Sequence, residues 1–500
     1  MGITTKAILA ATLAVAAFTT TTARAQNLWE KSVIFSSPDL GTRTEFGQSL
    51  AVTDQLAIVG SPRANGIETG AGSAYLFDIR AGIPLMKFAP SDGSIGDRFG
   101  NSVATDQAIA IIGAPTDTFR DLPGSAYIYD INTGEQLSKL TAPDGTPNDQ
   151  FGWSVALNGN LLLIGGTADD EAGEDAGAAY LFDLNTGQQL FKFTASDARP
   201  SDEFGFAVAL DDQFAFVSAL SAEGAFYNDG AVYIFDLTTG EQVNKLTATA
   251  EDDSPGGFGK SIAISASRIV IGSSGDSFAD GAVYVYDRPT VTRIFKWTEG
   301  DNIAFGQFGS SVAVAGNNAV VGARHEFGDD PGKAYIYDLT TGQRTAEISP
   351  TGIPVSDLYG AAVAINSNRA LVGSPVGSEL GLDQPAVYIW YDRTENILSI
   401  SPDPLKSEQP ATFTLQSALP NEPTWLLYSI DGLQPTFLEK LNVIIDIKNP
   451  HKVTTSRLTD ANGNLDWHLT MPRVTQPTDL WLQSTQHART SNVIPTELIP

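Results

Sequence analysis

The pair Phe-Gly recurs along this chain at intervals that barely change. It stands at Phe46, Phe99, Phe151, Phe204, Phe258 and Phe308, with Tyr359-Gly360 as a seventh copy, and the gaps are 53, 52, 53, 54, 50 and 51 residues. A period of that size, held over most of a chain, requires a repeat architecture in which each copy buries its apolar face only against its neighbours.

Aligned on that pair, the copies show four columns. The Phe-Gly pair opens an alternating stretch, as in FGWSVAL from 151 and FGSSVAV from 308, whose period of two reads as a half-buried first strand. Tight turns follow, such as Asn158-Gly159-Asn160, of the kind that suits a hairpin. The second strand is apolar throughout and ends in Gly60, Gly113, Gly165, Gly272, Gly322 or Gly373, each 14 residues after its aromatic; Ser218 alone breaks that column. A third strand carries Tyr75, Tyr127, Tyr180, Tyr233, Tyr284, Tyr335 and Tyr388. It ends in an aspartate (Asp78, Asp130, Asp183, Asp236, Asp287, Asp338) that leads through a Gly-containing turn into a fourth strand. An Asp side chain bonding its own backbone a few residues on, followed by Gly, is a turn device, so these aspartates are expected to be structural.

Four antiparallel strands in each of seven copies, with no helical periodicity, predict an all-β fold: a seven-bladed β-propeller over residues 26–396. WEKSVIFSSPD from Trp29 matches the fourth strand of later copies, whereas the last copy lacks one of its own. The N-terminal strand, 29–36, is therefore expected to complete blade seven and to leave the ring without an open edge. The Phe-Gly pairs, with Gly-Ala-Pro from Gly113 and Gly-Ser-Pro from Gly60 and Gly373, resemble the FG-GAP repeats of the integrin α-chain propeller. The resemblance implies the same propeller fold and an extracellular setting. It leaves function open, since such propellers include adhesion proteins, lectins and lipases.

The ends of the chain read differently. Lys6, the apolar run Ala7 to Phe18 and the small-x-small site Ala23-Arg24-Ala25 read as a signal peptide over residues 1–25, too short to span a bilayer. No later stretch is apolar enough to cross a membrane, so the expected location is secreted, periplasmic or cell-surface. The sequence has no cysteine, which excludes disulfides and thiolate chemistry. Thirty basic against 58 acidic residues give a formal charge of −28, which disfavours nucleic acid as a partner. From 397 to 500 the repeat stops, and short alternating strands such as ATFTLQS and TWLLYSI suggest an immunoglobulin-like β-sandwich.

Catalytic signatures are scarce. The propeller holds one histidine, His325, in a polar loop, and there is no Gly-x-Ser-x-Gly elbow, no His-Glu-x-x-His and no P-loop. Length varies most between the second-strand glycine and the third-strand tyrosine, from 12 to 15 residues, against 24 or 25 from that tyrosine to the next Phe-Gly, and variable loops on a rigid scaffold are where recognition resides. Strand parity puts these loops and the crossings between blades on one face. That face gathers Asp169, Asp170, Glu171, Glu174 and Asp175, with the aromatics Phe119, Phe226, Tyr227, Phe278 and Phe327 as candidate ligand contacts. Calcium is conceivable at the acidic loops, with Asp252, Asp253, Asp329 and Asp330 as candidate ligands; no other cofactor is expected. The reading that follows is an exported, non-catalytic binding or adhesion protein for a protein or carbohydrate ligand. The alternatives are a hydrolase or lyase acting on extracellular polysaccharide or lipid, and a structural matrix or surface-coat protein.

Overall fold

The computed structural model describes residues 29–392, apart from 40–43, 67, 69, 80, 107, 117–121, 225–228, 250–255, 276–280, 300–305, 325–330, 350–357 and 377–384, together with the backbone of the strands between 397 and 499. The chain divides into a unit up to Trp390 and a second from Tyr391. The signal-peptide segment, His325 and the candidates Phe119, Phe226, Tyr227, Phe278, Phe327, Asp252, Asp253, Asp329 and Asp330 lie outside the described residues.

The first unit is a seven-bladed propeller. Six four-stranded antiparallel sheets are built from consecutive strands, for example Phe151–Asn158, Leu161–Gly166, Ala178–Asp183 and Gln188–Phe193. The seventh joins Trp29–Ser36 to Ala386–Asp392, Arg369–Ser374 and Val363–Ile365, so one sheet contains strands from both ends of the array. Ring closure thus rests on backbone hydrogen bonds rather than on side chains alone.

No blade has a core of its own. One apolar cluster joins Leu163, Ala179 and Leu181 of blade three to Phe204, Val217, Tyr233 and Phe235 of blade four. Another joins Phe35, Leu371, Val387 and Ile389 of blade seven to Phe46, Val59, Tyr75 and Phe77 of blade one. The aromatic of every Phe-Gly copy is fully buried, and it meets the third-strand tyrosine of its own blade edge-on or tilted, as Phe151 does with Tyr180 at 5.3 Å. Removing such a ring would cost about 3–5 kcal/mol.

The glycine columns have a shared cause. A Cβ on Gly165 would fall 2.0 Å from the carbonyl oxygen of Gly205 in the next blade, and one on Gly373 would fall 2.1 Å from that of Gly47, across the closure. Gly205 itself has a φ of 93°, a conformation that costs a side chain dearly. The second-strand glycine and the Phe-Gly glycine therefore form one contact, backbone to backbone between blades. In five blades a serine three residues after the aromatic ties the same contact. Ser49, Ser102, Ser154, Ser261 and Ser311 donate to the carbonyls of Gly100, Gly152, Gly205, Gly309 and Gly360 at 2.7–2.9 Å. Blade four has exchanged the two: Ala207 stands where the serine would be, and Ser218 where the glycine would be. The Ser218 hydroxyl accepts from the Ala207 amide at 2.9 Å, which explains the one break in the glycine column.

In the second unit the strands form a three-stranded sheet (Ile397–Ser401, Pro410–Gln416, Leu465–Thr470), a mixed sheet centred on Pro423–Ser429 and Thr478–Gln486, and a hairpin of Leu433–Leu438 with Val443–Ile447. The described strands of both units make an all-β chain.

Candidate functional site

The recurring aspartates that end the third strands are turn residues. Asp236 accepts the amides of Thr238 and Thr239 at 2.8 and 3.0 Å, and Asp338 those of Thr340 and Thr341 at 2.8 Å each. These backbone bonds stabilise the carboxylate and hold both groups below the usual range.

A second recurring device sits at the perimeter. Tyr75, Tyr127 and Tyr233 donate to Asp39, Asp92 and Asp197, residues on the crossing from the preceding blade, at 2.6–3.0 Å. Lys87, Lys139 and Lys245 from the fourth strands donate to the same three carboxylates at 2.5–2.7 Å. Each Lys also lies over its tyrosine ring, 5.1–5.7 Å from the centroid. Burial and the adjacent carboxylate push the tyrosine hydroxyls above their ordinary range, so they remain donors.

Blade three enlarges this device, and that corrects the sequence reading of its acidic loop. Asp169 is 3% exposed. It accepts from the Tyr180 hydroxyl at 2.6 Å and from Lys192 at 3.0 Å. Lys192 also pairs with Asp144 at 2.6 Å and Glu171 at 2.5 Å. Asp169 is therefore a buried anchor rather than a ligand-facing group, because Tyr180 and Lys192 consume its charge. Asp170 accepts the Asp175 amide at 2.8 Å and shapes the loop. Glu174 is exposed at the surface, and of the five loop acids Asp175 alone reaches the axis.

Toward the axis, across blades one to four, lies a cavity of about 870 Å³. Its wall is made by the loops that follow second strands, through Arg63, Thr116, Thr167 and Asp175, and by the residues that precede Phe-Gly pairs, through Arg98, Gln150 and Glu203. It thus opens on the long-loop face. Trp153 and Phe206, both half-buried, complete the wall.

Two columns aim side chains here. The first is the residue after Phe-Gly: Gln48, Asn101, Trp153, Phe206, Lys260, Ser310 and Ala361. The first strands of successive blades pack side by side around the axis, and Asn101, Trp153, Phe206 and Lys260 meet across them. The Asn101 amide donates to the Trp153 carbonyl at 3.0 Å, the rings of Trp153 and Phe206 lie 5.7 Å apart, and Lys260 Nζ sits 4.6 Å over Phe206. The sequence carries this signal: the column is polar or small in five copies and aromatic only in two adjacent ones.

The second column is the residue before Phe-Gly. Glu45, Arg98, Gln150, Glu203, Gln307 and Leu358 have φ of 42–59°, and Gly257 takes the same conformation at 66°. Side chains at such a φ are uncommon, costing roughly 1–2 kcal/mol each, and their recurrence points to an imposed geometry. Most of the polar members are met by the loop of their own blade. Arg63 pairs with Glu45 at 2.8 Å, Thr167 donates to Gln150 at 2.8 Å, and Arg324 donates to Gln307 at 2.7 Å. Ser221 reaches Glu203 at 3.5 Å. Burial pushes the Glu203 carboxyl up, against the pull of Lys260, and the Asp175 charge acts in the same direction. Among the described residues the Arg98 guanidinium has no hydrogen-bond or ion-pair partner.

Among the described residues there is no group of three or more histidines and carboxylates placed to hold a metal ion, and no helix long and apolar enough to cross a membrane. Residues 29–77, 85–129, 135–182, 188–235, 241–286 and 292–337 match the model of the FG-GAP repeat. These stretches cover more than half of the chain, which belongs to the FG-GAP repeat family and forms a propeller resembling that of the integrin α N-terminus. Each match runs from a fourth strand through the next blade's third, so the sequence repeat is offset from the blade by one strand. No curated protein matches the chain significantly.

Proposed function

We propose that this chain is an exported, non-catalytic binding or adhesion protein that engages a protein or glycan through its long-loop face, at the axial cavity. One observation supports this most: four blades contribute polar side chains to a single cavity in which two aromatic rings stay half-exposed, against the usual burial of such rings in the core. The acidity of the face has a different origin in blade three, where its carboxylates are engaged by Lys192. Ligand recognition is therefore assigned to the cavity rather than to bulk charge.

The test is a mixed array of extracellular peptides and glycans probed with the native chain and with the double variant Trp153→Ala, Phe206→Ala. Signals present for the native chain and absent for the variant support the proposal. Equal signals, or none for the native chain, overturn it.

A second reading, a hydrolase of extracellular polysaccharide, draws on the raised Glu203 carboxyl near Asp175 in the same cavity. Release of reducing ends that disappears in Glu203→Gln would establish it. No release from the native chain would dismiss it.

A further inference from the structure

We infer that the axial cavity is a saccharide site that takes a neutral pyranose ring, an inference that rests on the binding role just proposed. A pyranose has an apolar C–H face and an equator of hydroxyls that both donate and accept. A matching site needs an exposed aromatic plane, unsatisfied donors and unsatisfied acceptors within one ring's reach.

The wall holds all three. Trp153 and Phe206 supply the planes, at 50° to each other, so one ring can lie on the first while its edge meets the second. The donors are the Arg98 guanidinium and the Trp153 indole N–H, neither of which has a partner among the described residues. The acceptor is Asp175, whose carboxylate takes no hydrogen bond among the described residues, while its backbone is fixed at a φ of 52°. Arg98 stands out in its column, because Glu45, Gln150, Glu203 and Gln307 are all met by their own loops. A guanidinium held in a left-handed backbone, with no partner among the described residues, is a donor available to something outside the chain.

Charge argues for a neutral ligand. A cationic partner would compete with Lys260, which already covers the face of Phe206 at 4.6 Å. An anionic one would gain from Arg98 but meet Asp175 and Glu203 in the same wall. A neutral polyol accepts from Arg98 and donates to Asp175 at once, so its hydroxyls replace the water lost from both charges.

The experiment is calorimetric titration of the full chain with maltohexaose, cellohexaose and mannohexaose, alongside a polyuronate and an oligolysine peptide. Binding of at least one neutral hexaose is expected, weakened ten-fold or more in both Arg98→Ala and Trp153→Ala and unchanged in Leu137→Ser, a change on the outer strand. Arg98 is not part of the core, so Arg98→Ala keeps the test decisive if Trp153→Ala fails to fold. No binding of any neutral hexaose by the native chain overturns the inference, as does equal binding by native and Arg98→Ala. Polyuronate or oligolysine binding without neutral binding also overturns it. If array signals depend on the cavity but are confined to peptides, the saccharide inference falls and the binding role stands. If nothing depends on the cavity, both fall.

Discussion

The indole of Trp390 donates a hydrogen bond to the hydroxyl of Tyr359 at 2.8 Å, inside the blade that closes the ring. Tyr359 occupies the Phe position of the repeat and is fully buried, and Trp390 occupies a position held elsewhere by Phe or Tyr. The two departures from the repeat are therefore one change. Replacing Tyr359 by Phe removes the acceptor and leaves a buried indole N–H unsatisfied, at a cost of about 1–3 kcal/mol. Adding Trp390→Phe should recover less than the full loss, because the smaller ring leaves a cavity. A double-mutant cycle by denaturant unfolding should give a coupling of about 1 kcal/mol. Additive effects would show that the bond contributes nothing.

The exchange in blade four makes a second test. Ser218→Gly alone removes the hydroxyl that caps the Ala207 amide and should lower stability by about 1 kcal/mol. Ala207→Ser alone crowds two side chains into a gap that elsewhere holds one. The pair together restores the arrangement of the other blades, in which the serine donates to the next blade's glycine carbonyl. The double variant should unfold at or above the native midpoint in thermal melts. A double variant less stable than either single change would refute the compensation.

Much of the fold is legible in the chain because propeller geometry is local and repeated. The glycine 14 residues after six of the seven aromatics is visible as a column since a Cβ there would strike the neighbouring backbone in those blades. The axial site is harder to see, for two physical reasons. Its members, such as Arg98, Trp153 and Glu203, are 50 or more residues apart and converge only when the ring closes. Their backbone conformation, left-handed at Arg98 and Glu203, carries no residue signature because the strain is held by the blade rather than favoured by the side chain. Asp169 misleads for the opposite reason: in sequence it belongs to an acidic run, whereas in space it belongs to Tyr180 and Lys192.

Stability should fall on acidification, and the sign follows from the carboxylates. Asp92, Asp144 and Asp197 are held below the usual range: burial opposes this, but hydrogen bonds and charge from Lys139, Lys192 and Lys245 outweigh it. A carboxylate whose folded pKa is depressed contributes stability above its unfolded value near 4 and loses it as pH falls through the folded value. Asp149 and Asp202 are raised, chiefly by burial, and act oppositely, adding stability below the unfolded value that is lost as pH rises through the folded one. The depressed group is larger once the turn aspartates Asp130, Asp183, Asp236, Asp287 and Asp338 are included. The melting midpoint should therefore drop between about pH 4 and pH 3. Asp197→Asn should flatten that drop, and an unchanged slope would remove Asp197 from the account.

Lys192 allows the sharpest test of the acidic loop. Its ammonium lies within 3.0 Å of Asp144, Asp169 and Glu171. Burial alone would lower the lysine pKa, but hydrogen bonds to Asp144, Glu171 and Asp169 raise it overall, so the charge persists at any physiological pH. Lys192→Met leaves three carboxylates converging without a counter-charge, one of them buried, and should cost about 3–5 kcal/mol. Calcium supplies the missing charge, and a ligand bound only to the folded chain stabilises it by mass action. Melts of Lys192→Met should therefore shift upward in calcium relative to chelator, by more than any shift in the native chain. Equal shifts in the two chains would mean that the carboxylates disperse when the lysine is lost, and that the lysine was not the cation holding them together.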